Sequence, residues 1–165
     1  MSERSEMDAN QWLQLFEEAF RNMTDRLEQV LQLSSCREHW IQAEISLYAW
    51  FEKNQIEIWT DLPIGDRRKA DLFALDDAGT PTMVAEVKCL GDISYAKCLE
   101  GEWSVRADIE RLRSYECPIR VFILVVAKGE EETDTGARLR NDEWVVGGNS
   151  VDVELGCALV RMWAV

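Results

Sequence analysis

Residues 119–127, IRVFILVVA, form a nearly continuous apolar run rich in Val and Ile. A strand with one wet face alternates; a run like this suits a central strand buried on both faces. Just upstream, residues 104–115, SVRADIERLRSY, read as a helix with Val105, Ile109 and Leu112 on its apolar side, and Cys117-Pro118 stops it. A helix feeding a fully buried strand points to an α/β protein, with helices covering a sheet.

The stretch before this pair reads as a strand hairpin. In residues 70–76, Asp71, Phe73 and Leu75 point one way and Leu72 and Ala74 the other. Asp-Asp-Ala-Gly-Thr-Pro is a turn cluster. In residues 83–89, Glu86 and Lys88 are two apart, so both side chains leave one face. All three charges can converge at one end of the hairpin.

Further upstream, Trp12, Phe16, Ala19 or Phe20, Met23, Leu27, Val30 and Leu31 recur every three or four residues, which predicts a long amphipathic helix over 11–33, with a break at Thr24-Asp25 as an alternative. It is read as a cover for the core, or else as a dimer surface. A second helix is expected over 37–54, with Trp40, Glu44, Leu47, Tyr48 and Phe51 on its apolar face. Glu44 then sits inside an apolar stripe, where a carboxylate is costly unless paired, protonated or on a metal. His39, at the start of that helix, reads as a capping or surface residue. A strand is expected at 55–59, a basic loop carrying Arg67, Arg68 and Lys69, and a helical turn at 95–100. Beyond 127 come an acidic loop at 128–134, a strand at 143–146, a turn at 147–150, and strands at 151–155 and 158–165.

Asp71 followed by Glu86-Val87-Lys88 resembles the signature of the PD-(D/E)xK nuclease superfamily, although Ala70 stands where that family often has Pro. The resemblance covers residues 38–127 and implies a restriction-endonuclease-like αβββαβ core with a mixed sheet flanked by helices. The single domain would comprise an N-terminal helical extension (1–35), the core (37–127) and C-terminal edge strands (128–165). It also implies a Mg²⁺ or Mn²⁺ site made by Asp71, Glu86, the Val87 carbonyl and Glu44, with Lys88 orienting the attacking water. Hard oxygen ligands suit these ions. The implied reaction is hydrolysis of phosphodiester bonds, in DNA.

Charge pulls against that partner. The net charge is −13, and an acidic chain repels DNA at long range. A local basic rim of Arg67, Arg68, Lys69, Lys97, Arg106, Arg111 and Arg113 would have to overcome it. The competing reading is a catalytically silent nuclease-fold protein that works through protein contacts, as a complex subunit or an acidic inhibitor. A small-ligand α/β module is the third, with no GxGxxG or GxxxxGK[ST] loop to support it. The 5 Cys are scattered and never in a CxxC pair, and there is 1 His, which argues for reduced thiols and against zinc. With a polar N-terminus and no membrane-length apolar run, the chain reads as cytoplasmic.

Overall fold

The structure is a computed structural model and describes residues 6–33, 35–63, 69–90, 104–129 and 149–165. The elements run α1 (Ala9–Val30), α2 (Arg37–Glu52), β1 (Trp59–Pro63), β2 (Lys69–Leu75), β3 (Pro81–Leu90), α3 (Val105–Arg113), β4 (Ile119–Ala127), β5 (Ser150–Glu154) and β6 (Ala158–Ala164). The expected turn at 95–100, the strand at 143–146, the 147–150 turn's first two residues, and most of the acidic loop lie outside the described residues.

Among the described residues, six strands form one mixed sheet in the order β1-β2-β3-β4-β6-β5. Only β3 and β4 run parallel; every other neighbouring pair is antiparallel. α1 and α2 cover one face of the sheet and α3 the other. The apolar run at β4 lies where its composition demands. Val121, Ile123 and Val125 enter the core under α1 and α2, while Phe122, Leu124 and Val126 enter the core under α3. Phe122 stacks obliquely on Trp163 of β6, centroids 5.0 Å apart.

α1 is unbroken. Asp8 caps it by accepting from the Gln11 N–H at 2.9 Å, and Gln11 Oε1 returns the bond to the Asp8 N–H at 2.8 Å. Thr24 does not restart the helix, because its hydroxyl bonds back to the Phe20 and Arg21 carbonyls, each at 3.1 Å. The apolar stripe of α1, from Trp12 to Leu27, is buried against the chain's own sheet. α2 is shorter than expected, since Asn54 and Gln55 turn to φ values of 52° and 59° and end it. Pairing in β1 begins only at Trp59, opposite Phe73, so residues 55–58 lead into the strand instead of forming it.

The hairpin turn is built as its residues require. Asp76 Oδ1 accepts from the Ala78 and Thr80 N–H groups at 2.9 and 2.8 Å, and Gly79 takes φ 82°, which a side chain would resist. The C-terminal hairpin β5–β6 extends the sheet beyond β4, and Asp152 faces Arg161 across it, bonded at 2.7 and 2.8 Å. Among the described residues no helix is long and apolar enough to cross a membrane.

Candidate metal and phosphodiester site

The site begins where two strands part. Paired register between β2 and β3 runs from Leu75 opposite Pro81 to Leu72 opposite Ala85. β2 meanwhile stays on β1 as far as Lys69 opposite Pro63. Alternate N–H groups of a strand leave on one edge, so those of Val87 and Cys89 face the parting. Carboxylates satisfy them. Asp71 Oδ2 accepts from the Val87 N–H at 2.8 Å, and Glu38 Oε1 of α2 accepts from the Cys89 N–H at 3.0 Å. The Val87 carbonyl leaves β3 on the same edge as its N–H.

The pleat puts the remaining groups on the α3 face. Phe73 and Val84 pair across the hairpin and enter the core beneath α3. Asp71 lies two residues before Phe73, and Glu86 and Lys88 two and four after Val84, so all three share that face. α3 is fixed by its Ser104 cap, which accepts from the Ala107 N–H at 3.2 Å, and by Val105, Ile109 and Leu112 in the core. It delivers Asp108 and Arg111. Asp108 Oδ2 lies 3.1 Å from Lys88 Nζ, and Asp108 Oδ1 lies 2.8 Å from Arg111 Nη2. The same Arg111 nitrogen is 3.4 Å from Glu86 Oε2. Glu86 is 4% exposed, and it shares a side-chain hydrogen bond with Asp71 beside its contact with Arg111.

Electrostatics follow from burial. Loss of water pushes the Glu86 carboxyl up to about 8, with the neighbouring Asp71 adding to the rise and Arg111 pulling against it. Asp71 is also raised by burial, with the Val87 N–H opposing the rise. Glu38 is raised for the same reason, opposed by the Cys89 N–H and Lys88. Burial lifts the Cys89 thiol to about 11, so it is no thiolate nucleophile at neutral pH. The cluster therefore sets carboxyls from Glu38, Asp71, Glu86 and Asp108 against cations at Lys88 and Arg111.

Of the residues singled out by sequence, Asp71, Glu86, Val87, Lys88 and Arg111 come together here. Glu44 does not. It pairs with Arg26 of α1 at 3.3 Å, in a seam that also holds Trp40 under the Arg26 guanidinium. The expected apolar face of α2 is met in part: Trp40 and Tyr48 pack against the core. The helix buries Ile41, Gln42, Ile45 and Ala49, and leaves Leu47 and Phe51 exposed. Glu38 is the α2 carboxylate that reaches the strands, three residues before Ile41 on the buried side. Arg106 and Arg113 lie on the opposite flank of α3 from Asp108 and Arg111, and Arg106 is occupied with Glu110 at 3.3 Å. Lys69 is exposed at the start of β2. Arg67, Arg68 and Lys97 lie outside the described residues. His39 is exposed and lines a cavity of about 280 Å³ beside Glu38 and Cys89. Sequence reading missed Glu38 and Asp108. The signal for Asp108 was its place among Val105, Ile109 and Leu112, an acid on a buried helix face with Arg111 one turn on.

Among the described residues, no group of three or more His, Cys, Asp and Glu side chains is set to enclose a metal ion. Asp71 and Glu86 stand together as a pair, with Glu38 held off on the Cys89 N–H. Comparison with protein-family models, with curated proteins and with solved structures finds no match for this chain.

Proposed function

We propose that the chain is a metal-dependent nuclease with a PD-(D/E)xK-like site, hydrolysing phosphodiester bonds in DNA. The observation that carries this reading is the adjacency of Asp71 and Glu86 on one sheet face, a partly buried acid and a buried one that share a side-chain hydrogen bond. Two such acids side by side are costly to ionise together unless a cation joins them. The order of elements from α2 to β4, with β3 and β4 parallel, agrees with the αβββαβ core that the motif implies.

Mg²⁺ or Mn²⁺ fits the donor set. Mg²⁺ takes one or two carboxylates and fills the rest of its shell with water and phosphate oxygens, so Asp71 and Glu86 suffice without a third enclosing acid. The Val87 carbonyl on the same edge adds a neutral oxygen, and Glu38 takes the helix position assigned to Glu44. When bound, such an ion neutralises charge on the scissile phosphate and lowers the pKa of a coordinated water. Lys88, held beside the pair by Asp108, supplies a fixed positive charge where a phosphoryl transition state gathers negative charge.

The test is cleavage of single-stranded, duplex and branched DNA with Mg²⁺ or Mn²⁺ present. Wild type should cut in a metal-dependent way; Glu86→Ala and Lys88→Ala should lose the activity by about a hundredfold or more while remaining folded. If wild-type protein leaves every substrate intact, the reading fails. One observation favours a second reading, a silent nuclease-fold subunit. The net charge of −13 accompanies an exposed apolar group on α2, Leu47, Trp50 and Phe51, of the kind that docks against another protein. A stable partner recovered with an inactive protein would favour it.

A further inference from the structure

Arg111 stands at the solvent edge of the carboxylate cluster, its side chain 33% exposed. Both its contacts, to Glu86 and to Asp108, use Nη2, which leaves the other edge of the guanidinium turned away from the pair. Asp108 is buried and divides its oxygens, one to Arg111 and one to Lys88. Glu86 is thus held between an acid and a cation: Oε2 has the guanidinium, and Asp71 shares a side-chain hydrogen bond with it.

We propose that Arg111 is the resident counter-ion of this site, a tethered cation that holds Glu86 in the metal-free protein, yields it to a divalent cation, and then turns to the phosphodiester of the substrate. The proposal rests on the nuclease reading above. A cation 3.4 Å from Glu86 Oε2 lowers the attraction of that carboxylate for any second cation. Asp108, one helical turn before Arg111, keeps the guanidinium at the site after Glu86 is surrendered, so the movement is a swing about a fixed anchor. A guanidinium fork matches two phosphate oxygens, which an ammonium cannot do. Arg111 is therefore a substrate-binding residue whose metal-free partner is a prospective metal ligand.

The two roles have opposite signs, which makes them separable. Calorimetric titration of Mn²⁺ into the full chain compares wild type, Arg111→Gln and Arg21→Gln. The last removes the same charge from the exposed Arg21–Glu17 pair on α1. Arg111→Gln should bind Mn²⁺ about threefold to tenfold more tightly than wild type, with Arg21→Gln unchanged. In cleavage assays Arg111→Gln should raise KM for DNA more than it lowers kcat. Arg111→Met, which keeps the aliphatic stem without the charge, takes its place if the Gln variant does not fold. Mn²⁺ affinity in Arg111→Gln equal to or weaker than in Arg21→Gln overturns the inference, while metal-dependent cleavage by wild type would still stand. Absence of Mn²⁺ uptake in both wild type and Arg111→Gln overturns the metal reading and this inference together.

Discussion

Glu86 is a carboxyl held in conflict. Its neighbour Asp71 is another acid, its surroundings are dry, and the partly exposed Arg111 is a cation paired with it. A folded-state value of about 8, above the ordinary 4.5, means the protonated form favours folding. That contribution is complete below the unfolded value and disappears as pH rises through the folded one. Metal-free wild type should therefore lose stability relative to Glu86→Gln between about pH 4.5 and about pH 8. The slope is at most ~1.4 kcal/mol per pH unit, the value for one proton. Thermal melts of both proteins in chelator across that range check it, and parallel curves would refute it. The sequence could show that Glu86 and Lys88 share a face, because a period of two fixes that; Asp71 joins them through the β2–β3 register. It could not show that Asp108 grips Lys88, since that contact depends on how α3 lies over the sheet.

At the scale of elements, β4 was legible in full and α2 in its extent but not in its facing, for one physical reason. A strand run apolar on both faces has one solution, burial on both sides, and β4 adopts it. α2 is apolar around most of its circumference, so several stripes compete. The aromatic stripe through Trp40 and Phe51 suggested one phase, and the β-branched Ile41 and Ile45 settled another in the core. That shift exchanged Glu44 for Glu38. It predicts a contrast between two substitutions on the same helix. Glu44→Ala removes only its pair with Arg26, an ion pair 3.3 Å long whose Arg is 70% exposed, and should cost under ~1 kcal/mol and leave Mn²⁺ affinity unchanged. Glu38→Gln keeps an oxygen for the Cys89 N–H but removes a charge from the site, and should weaken Mn²⁺ by about threefold to thirtyfold. Urea denaturation and calorimetry read the two effects, and equal behaviour of the variants would place Glu38 outside the site.

Across the whole molecule, acid outweighs base by 13 charges, and the cations near the carboxylate pair are few. Substrate approach is opposed at long range and favoured only at contact. Cleavage efficiency on DNA should therefore rise by about twofold to tenfold as salt increases from ~10 to ~100 mM, the reverse of a basic nuclease, because screening relieves repulsion first. A monotonic fall over that range would show that a basic surface dominates the encounter. Sheet order and the covering helices place the carboxylates at the one parting between β2 and β3, and this has a mechanical outcome. At that end β3 is held by acid side chains instead of by backbone pairing, to β2 through Asp71 and to α2 through Glu38. The amide protons of Val87 and Cys89 are thus reporters, and their exchange with heavy water should track how firmly Asp71 and Glu38 hold on when a cation arrives.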